Sequence, residues 1–245
     1  MIILRNLVFN FFYFLLSIFW SVFLVWTLIL PQSWAIKIVH DTYFTTVAIL
    51  EKYLLGLTYK IEGWENIPQN SGFILAAKHQ SAYETLKLPY LFADLAIVLK
   101  RELTWIPLWG WYPIKMGMIP IDRGSAKVAI ESIIKGSKRI LHEEKRPLLI
   151  FPEGTRTTVG ETRKYKAGVG RIYEANDVPV IPVALNSGLF WGKNKFWKQP
   201  GCVTIKFLPP IEPGLETKTF MDRLQSEIEQ ESLALLPSPT ERQLQ

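Results

Sequence analysis

Cysteine and histidine are scarce in this 245-residue chain, which carries one cysteine, Cys202, and three histidines. A lone cysteine excludes an intramolecular disulfide and a cysteine-rich metal site, so the chain fits a reducing compartment and not a disulfide-stapled scaffold. Cys202 lies beside the strand-like "VTIKF" and is expected to be a small buried side chain. The G-x-S-x-G elbow of serine hydrolases is missing, and Cys202 has no reactive setting, so no protein nucleophile is evident. No internal repeat is visible, and no glycine-rich linker divides residues 59–236.

Charge is missing from one long stretch, and this absence is informative. Residues 7–30, "LVFNFFYFLLSIFWSVFLVWTLIL", contain no charged side chain. As one helix at ~1.5 Å per residue they would run roughly 36 Å, enough for a hydrocarbon core of about 30 Å. The run is about twice a usual signal-peptide core and lacks a convincing small-x-small cleavage site, so a retained membrane segment is expected. Trp20, Trp26 and Trp34 suit an interface. After Pro31, "WAIKIVHDTYFTTVAILEKYLLGL" carries Lys37, Asp41, Glu51 and Lys52, which rule out a second comfortable span. Ile36, Val39, Tyr43, Val47, Leu50 and Leu54 recur at spacings of three and four, the mark of an amphipathic helix on the membrane or against the rest of the protein. His40, beside Asp41 in this helix, is expected to be an interfacial polar residue.

From Tyr59 the texture changes. Short apolar runs at "TYKIEG", "GFILAAK", "LAIVLK", "GMIPI", "PLLIFPEG", "VPVIPVAL" and "CVTIKFLPP" alternate with helical spacing at 81–92 and 126–142, and 217–236 form a terminal amphipathic helix. This alternation predicts an α/β domain with a mixed, largely parallel sheet flanked by helices. Pro182 suggests a strand end, edge or bulge. Overall 28 basic residues stand against 22 acidic ones, a net charge of +6 that suits anionic lipid, an acidic substrate or nucleic acid. Basic and aromatic residues interleave in "LKRELTWIPLWGWYPIKMGM" and "LFWGKNKFWK". Next to a long apolar run, that pattern reads better as a bilayer seat than as a nucleic-acid platform.

The chemistry sits at strand ends, where loops leave such a sheet. In "AAKHQSAYETLKLP", His79 follows a strand and Glu84 comes five residues later, within reach if a helix begins after Gln80. A histidine can take and return a proton near neutral pH, and a carboxylate on one ring nitrogen frees the other. With no protein nucleophile, such a base would activate a substrate hydroxyl or water. "FPEGTRT", residues 151–157, offers a tight turn at Gly154, a hydroxyl at Thr155 and the guanidinium fork of Arg156, which suit an anion. Glu153 in that loop would hydrogen-bond a neutral hydroxyl or position an arginine. "IPIDRGS" pairs Arg123 with a flexible turn, and Ser125 suits a helix cap.

"KHQSAYE", "IPIDRGS", "FPEGTR" and "VIPV", in this order over residues 59–215, closely resemble the glycerolipid acyltransferase family, in particular the bacterial 1-acyl-sn-glycerol-3-phosphate acyltransferases. The family pattern has aspartate where this chain has Glu84. The resemblance implies that His79 deprotonates a glycerol hydroxyl, which attacks an acyl thioester without a covalent enzyme intermediate. It also implies that Lys100, Arg123, Glu153, Gly154, Thr155 and Arg156 bind the glycerol phosphate portion. Lys166 and Gly168 in "YKAG" resemble a further family segment.

The expected product is phosphatidic acid, made from lysophosphatidic acid with acyl-CoA or acyl carrier protein as donor. No tightly bound cofactor, metal site or nucleic acid is expected. Partners would be membrane lipids, and the place would be a bacterial inner membrane with the catalytic domain facing the cytoplasm. The expected organisation is 1–58 as membrane-associated helices, 59–236 as the catalytic domain and 237–245 as a disordered tail. A relative acting on another lysolipid, such as a lyso-ornithine lipid, is the nearest rival, and a noncatalytic lipid-binding module is the rival of a different class.

Overall fold

The computed structural model describes residues 2–69, 71–122, 124 and 126–237. Arg123, Ser125 and residues 238–245 lie outside the described residues, and with them the expected arginine site, the serine cap and the tail.

The chain begins with α1 (Ile2–Phe23), one 22-residue helix, followed by a 3-10 turn at Val25–Ile29. The apolar run is therefore helical earlier than expected, and regular α-helix stops at Phe23. Beyond Pro31, α2 (Gln32–Val39) and α3 (Thr45–Leu50) join through a π turn at His40–Phe44, and a second π turn covers Glu51–Leu55. Gly56, at φ 68, ends the run in the left-handed region that glycine favours. The face anticipated for this helix is the one that packs inward: Ile36, Val39 and Val47 are buried, while Tyr43, Leu50 and Leu54 pack against the core.

The strands and helices that follow are β1 (Leu57–Glu62), β2 (Ile74–Ala77), α4 (Tyr83–Leu91), β3 (Ala96–Lys100), α5 (Trp111–Lys115), β4 (Ile119–Ile121) and α6 (Ala126–Lys138). The rest are β5 (Leu148–Ile150), α7 (Ala167–Asn176), β6 (Val180–Leu185), β7 (Gly201–Phe207) and α8 (Thr217–Ala234). Among the described residues the strands form one seven-stranded sheet in the order β1-β7-β6-β2-β5-β3-β4. Every neighbouring pair is parallel except β6 and β7. The sheet is mixed and largely parallel, as the alternation of runs predicted.

Each face of the sheet carries its own apolar layer. On one side Leu75, Ala77, Leu149, Ile181 and Val183 pack with α4 and with Phe9, Leu24, Ile36 and Val47 of the N-terminal helices. On the other, Ile74, Ala76, Leu148 and Ile150 pack under α6, α7 and α8 through Ile133, Ile172, Phe220 and Leu224. The N-terminal helices thus share a core with the sheet.

One expectation needs correction and another is narrowed. Cys202 is exposed, because it is the second residue of β7 and the strand alternates so that Val203, Ile205 and Phe207 take the buried positions. Pro182 stands within β6, an interior strand, so of the strand end, edge or bulge expected it takes the bulge: Val183 pairs with Phe207 and Val180 with Ile211, which leaves one extra residue on the partner side. Its carbonyl accepts from Leu208, so its missing N–H would face the same side, where Pro209 and Pro210 carry the chain out of the sheet.

Candidate active site

Because β2, β5, β3, β4 and β6 are mutually parallel, their C-terminal ends share one edge of the sheet. His79 follows β2, the FPEGTR loop follows β5, Lys100 ends β3, Asp122 follows β4 and Ser187 follows β6. Parallel topology alone therefore gathers motifs spread over more than a hundred residues.

His79 and Glu84 meet as expected, with Nδ1 2.9 Å from Oε1. Glu84 is fully buried and saturated. Oε1 also accepts the main-chain N–H groups of Gln80 at 2.6 Å and Ser81 at 2.7 Å, and Oε2 accepts the Ser187 hydroxyl at 2.8 Å. A carboxylate with four donors is held as an acceptor, which fixes the His79 proton on Nδ1 and leaves Nε2 with its lone pair. Among the described residues Nε2 has no hydrogen-bond partner. The ring stacks on Phe151 at 3.9 Å between centroids and 18° between planes, so it cannot swing freely. The main chain of His79 is clamped as well. Its N–H donates to Glu153 Oε1 at 3.3 Å, and its carbonyl accepts both the N–H and the hydroxyl of Thr157, at 2.7 and 3.1 Å.

The FPEGTR loop splits into an inward and an outward part. Glu153 is fully buried, 3.4 Å from the Lys78 ammonium, and so does not face the open side of the site where a substrate hydroxyl would lie. Burial pushes its carboxyl up to about 7, against the pull of the Lys78 charge. Gly154 takes φ 68 and turns the chain tightly. A side chain there would also crowd Lys166 Cγ at 3.2 Å. Thr155 and Arg156, just beyond, are partly exposed and make no hydrogen bond or ion pair among the described residues. Arg156 lies within electrostatic range of the Tyr13 hydroxyl on α1, so the loop reaches toward the N-terminal helix. Arg156, next in sequence to the Thr157 that bonds the His79 carbonyl, thus offers a partly exposed guanidinium without a protein counter-ion, a group able to take an anion.

Lys100 stands apart. It pairs with Glu102 at 3.1 Å, is half exposed, and contacts neither His79 nor Glu84. Its neighbour Arg101 pairs with Asp122 Oδ2 at 2.8 Å, which ties the ends of β3 and β4 together. Phe151, Thr157 and Ser187 escaped the sequence reading as functional residues. Phe151 and Thr157 lie within the motif already singled out, and Ser187 follows directly on "VIPVAL".

The comparisons agree with this geometry. A protein-family model described as Acyltransferase matches residues 58–186. The 1-acyl-sn-glycerol-3-phosphate acyltransferase of Pseudomonas aeruginosa is 35% identical over 183 residues, covering 75% of this chain and 70% of that protein. The enzyme of the same name from Limnanthes douglasii is 30% identical over 190 residues, covering 77% of this chain and 66% of that one. The crystal structure of the 1-acyl-sn-glycerophosphate acyltransferase from Thermotoga maritima superposes with a TM-score of 0.78 at 22% identity, covering 97% of this chain and all of that one, a likeness of fold. Fold and matched motifs define an acyltransferase. Within that class, the chain belongs to the 1-acyl-sn-glycerol-3-phosphate acyltransferase family.

Proposed function

We propose that the protein transfers an acyl chain from acyl-CoA or acyl carrier protein to the free sn-2 hydroxyl of 1-acyl-sn-glycerol-3-phosphate, giving phosphatidic acid. The observation that carries the reading is the His79 ring held by Glu84 at 2.9 Å with Nε2 unpartnered among the described residues. Nε2 takes the hydroxyl proton as the alcohol oxygen attacks the thioester carbonyl. The carbon–sulfur bond breaks, and the departing thiolate receives that proton from His79. Glu84 keeps the ring oriented and stabilises its protonated form. Thr155 and Arg156 hold the phosphate, with Lys100 at the end of β3 as a further cation toward the same edge and Gly154 as the turn that presents them; Arg123, outside the described residues, is assigned to the phosphate on its motif alone. Glu153 supports the His79 main chain from beneath.

The membrane reading rests on α1. Its outward stripe, Leu4, Leu7, Phe11, Phe14, Ile18 and Val22, is exposed and apolar. Its inner side is fastened to the protein: Asn6 exchanges hydrogen bonds with the main chain of Lys198, Lys198 Nζ donates to the Asn10 side chain, and the Tyr112 hydroxyl donates to the main-chain carbonyl of Ser21. Both ends are thus tied to the catalytic part. A helix fastened at both ends along one domain lies in the plane of one leaflet, with Trp26, Trp34, Trp105 and Trp111 exposed near one end and Phe196 and Trp197 near the other. A lysophospholipid then slides laterally into the site, avoiding about 0.8 kcal/mol per methylene exposed to water. We place the catalytic part on the cytoplasmic face of a bacterial inner membrane, where thioester donors are soluble.

An assay of the purified protein with a panel of lysolipid acceptors, following thioester consumption and lipid product together, tests the reading. Transfer to 1-acyl-sn-glycerol-3-phosphate well above the others is expected. A preference for a phosphate-free acceptor such as a lyso-ornithine lipid, or thioester loss without lipid product, would contradict it.

A further inference from the structure

Lys78 directly precedes His79, yet its side chain is almost fully buried. A buried ammonium is costly unless it is paired and hydrogen-bonded. Its partners come from three places. Nζ lies 2.6 and 2.7 Å from the two carboxylate oxygens of Glu229, 3.1 Å from the Glu161 carbonyl and 3.4 Å from Glu153 Oε1. Glu229 belongs to α8, beyond the 58–186 stretch that the family model matches. Its carboxylate also accepts the hydroxyls of Thr162 and Tyr165, both at 3.1 Å.

One ammonium therefore serves two carboxylates, and Glu229 holds it more closely. Glu153 is left with the weaker share: Oε1 reaches Lys78 and the His79 N–H, while Oε2 has no hydrogen-bond partner among the described residues. We propose that Lys78 and Glu229 are positioning residues, through which the terminal helix α8 sets the charge on the Glu153 carboxylate and thereby the seating of His79. The inference rests on the acyltransfer reading above.

The charged and titratable groups that face Glu153 are Lys78 at the end of β2, Glu229 from α8 and Tyr165 from the segment before α7, while His79 presents its main-chain N–H. Burial, opposed by the Lys78 charge and helped by the Glu229 charge, holds the Glu153 carboxyl at about 7. If the ionised form seats His79, activity falls below that pH. Loss of the Lys78 charge then raises the pH at which activity falls, and loss of the Glu229 charge lowers it. A pair that merely stabilised the fold would shift the unfolding temperature and leave the pH profile in place.

The test is the pH profile of kcat/KM for phosphatidic acid formation by the full-length protein, Lys78→Met and Glu229→Gln. The acid limb should move up in pH for Lys78→Met and down for Glu229→Gln, each by about one unit, the effect of one close charge. At pH 7 Lys78→Met should lose about fivefold in kcat with little change in either KM. Glu229→Gln is isosteric, its amide oxygen accepting from one of the Thr162 and Tyr165 hydroxyls and its NH2 donating to the other, so its profile decides the question even if Lys78→Met does not fold. Acid limbs that stay at the parental pH, or move in the same direction, overturn the inference while acyltransfer by the parent stands. A parent that forms no phosphatidic acid overturns the acyltransfer reading, and this inference with it.

Discussion

Glu84 is one methylene longer than the aspartate of the family pattern, and the added reach does not spoil the site. Oε1 meets His79 Nδ1 at 2.9 Å while also taking two main-chain N–H groups ahead of α4. This pair was legible in the sequence because its members are five residues apart, where one turn brings them together. The partners that complete it are remote: Ser187 lies 103 positions from Glu84, Thr157 lies 78 from His79, and Glu229 lies 151 from Lys78. Nothing in local pattern announces contacts made only when parallel strands align. Glu153, expected to bond a neutral hydroxyl or position an arginine, turns inward to a buried lysine instead, a contact that no local pattern announces. Arg156 does emerge without a protein partner among the described residues, which is what a ligand-binding cation requires. Arg156→Ala should therefore raise the acceptor KM at least about tenfold while the donor KM stays close to its original value. Steady-state kinetics with each substrate varied in turn provide the check, and equal effects on both would remove the phosphate role.

Among the elements, all seven strands were visible as short apolar runs with turn residues between them, because a sheet covered on both faces leaves little room for polar side chains. Helix α7 was not. Gly168 and Gly170 lower its helical signal, and the second is explained only by packing, since a side chain there would meet Thr217 of α8 at 2.7 Å. The N-terminal helices also proved less separate than their composition suggests. Glu51, at the end of that helical run, pairs with Lys87 on α4 at 2.7 Å, both fully buried, and the Lys87 ammonium lies over the rings of Tyr59, Tyr83 and Tyr90. Burial raises the Glu51 carboxyl and the Lys87 charge opposes the shift. Since α4 also carries Glu84, this pair joins the N-terminal helices to the one that carries the His79 partner. Glu51→Ala leaves Lys87 buried without its counter-charge and should cost about 3–5 kcal/mol of stability. Chemical unfolding in detergent measures this, and the double change Glu51→Leu with Lys87→Met should recover much of the loss.

At the scale of the whole molecule, an apolar outer face and an α/β domain with its site on one sheet edge serve an amphiphilic substrate. The sequence points to a membrane segment but leaves open whether the helix spans or lies flat, because hydropathy measures composition and not attachment. The bonds at Asn6 and Ser21 tie the helix along the catalytic part and support the flat arrangement proposed above. Ile18, 65% exposed on the outer stripe, should then anchor the protein without holding the fold. Ile18→Lys should weaken partitioning onto phospholipid vesicles by roughly thirtyfold, corresponding to about 2 kcal/mol of lost apolar burial. Its unfolding midpoint in detergent should stay near that of the parent. Unchanged vesicle binding would show that α1 does not face lipid.

The most direct test of the acyltransfer account compares the parent with His79→Ala, following phosphatidic acid formed and thioester consumed from 1-acyl-sn-glycerol-3-phosphate and an acyl thioester. The parent should form one product per thioester consumed, and His79→Ala should lose at least about a hundredfold in kcat while still binding vesicles. Retained turnover by His79→Ala would contradict the account.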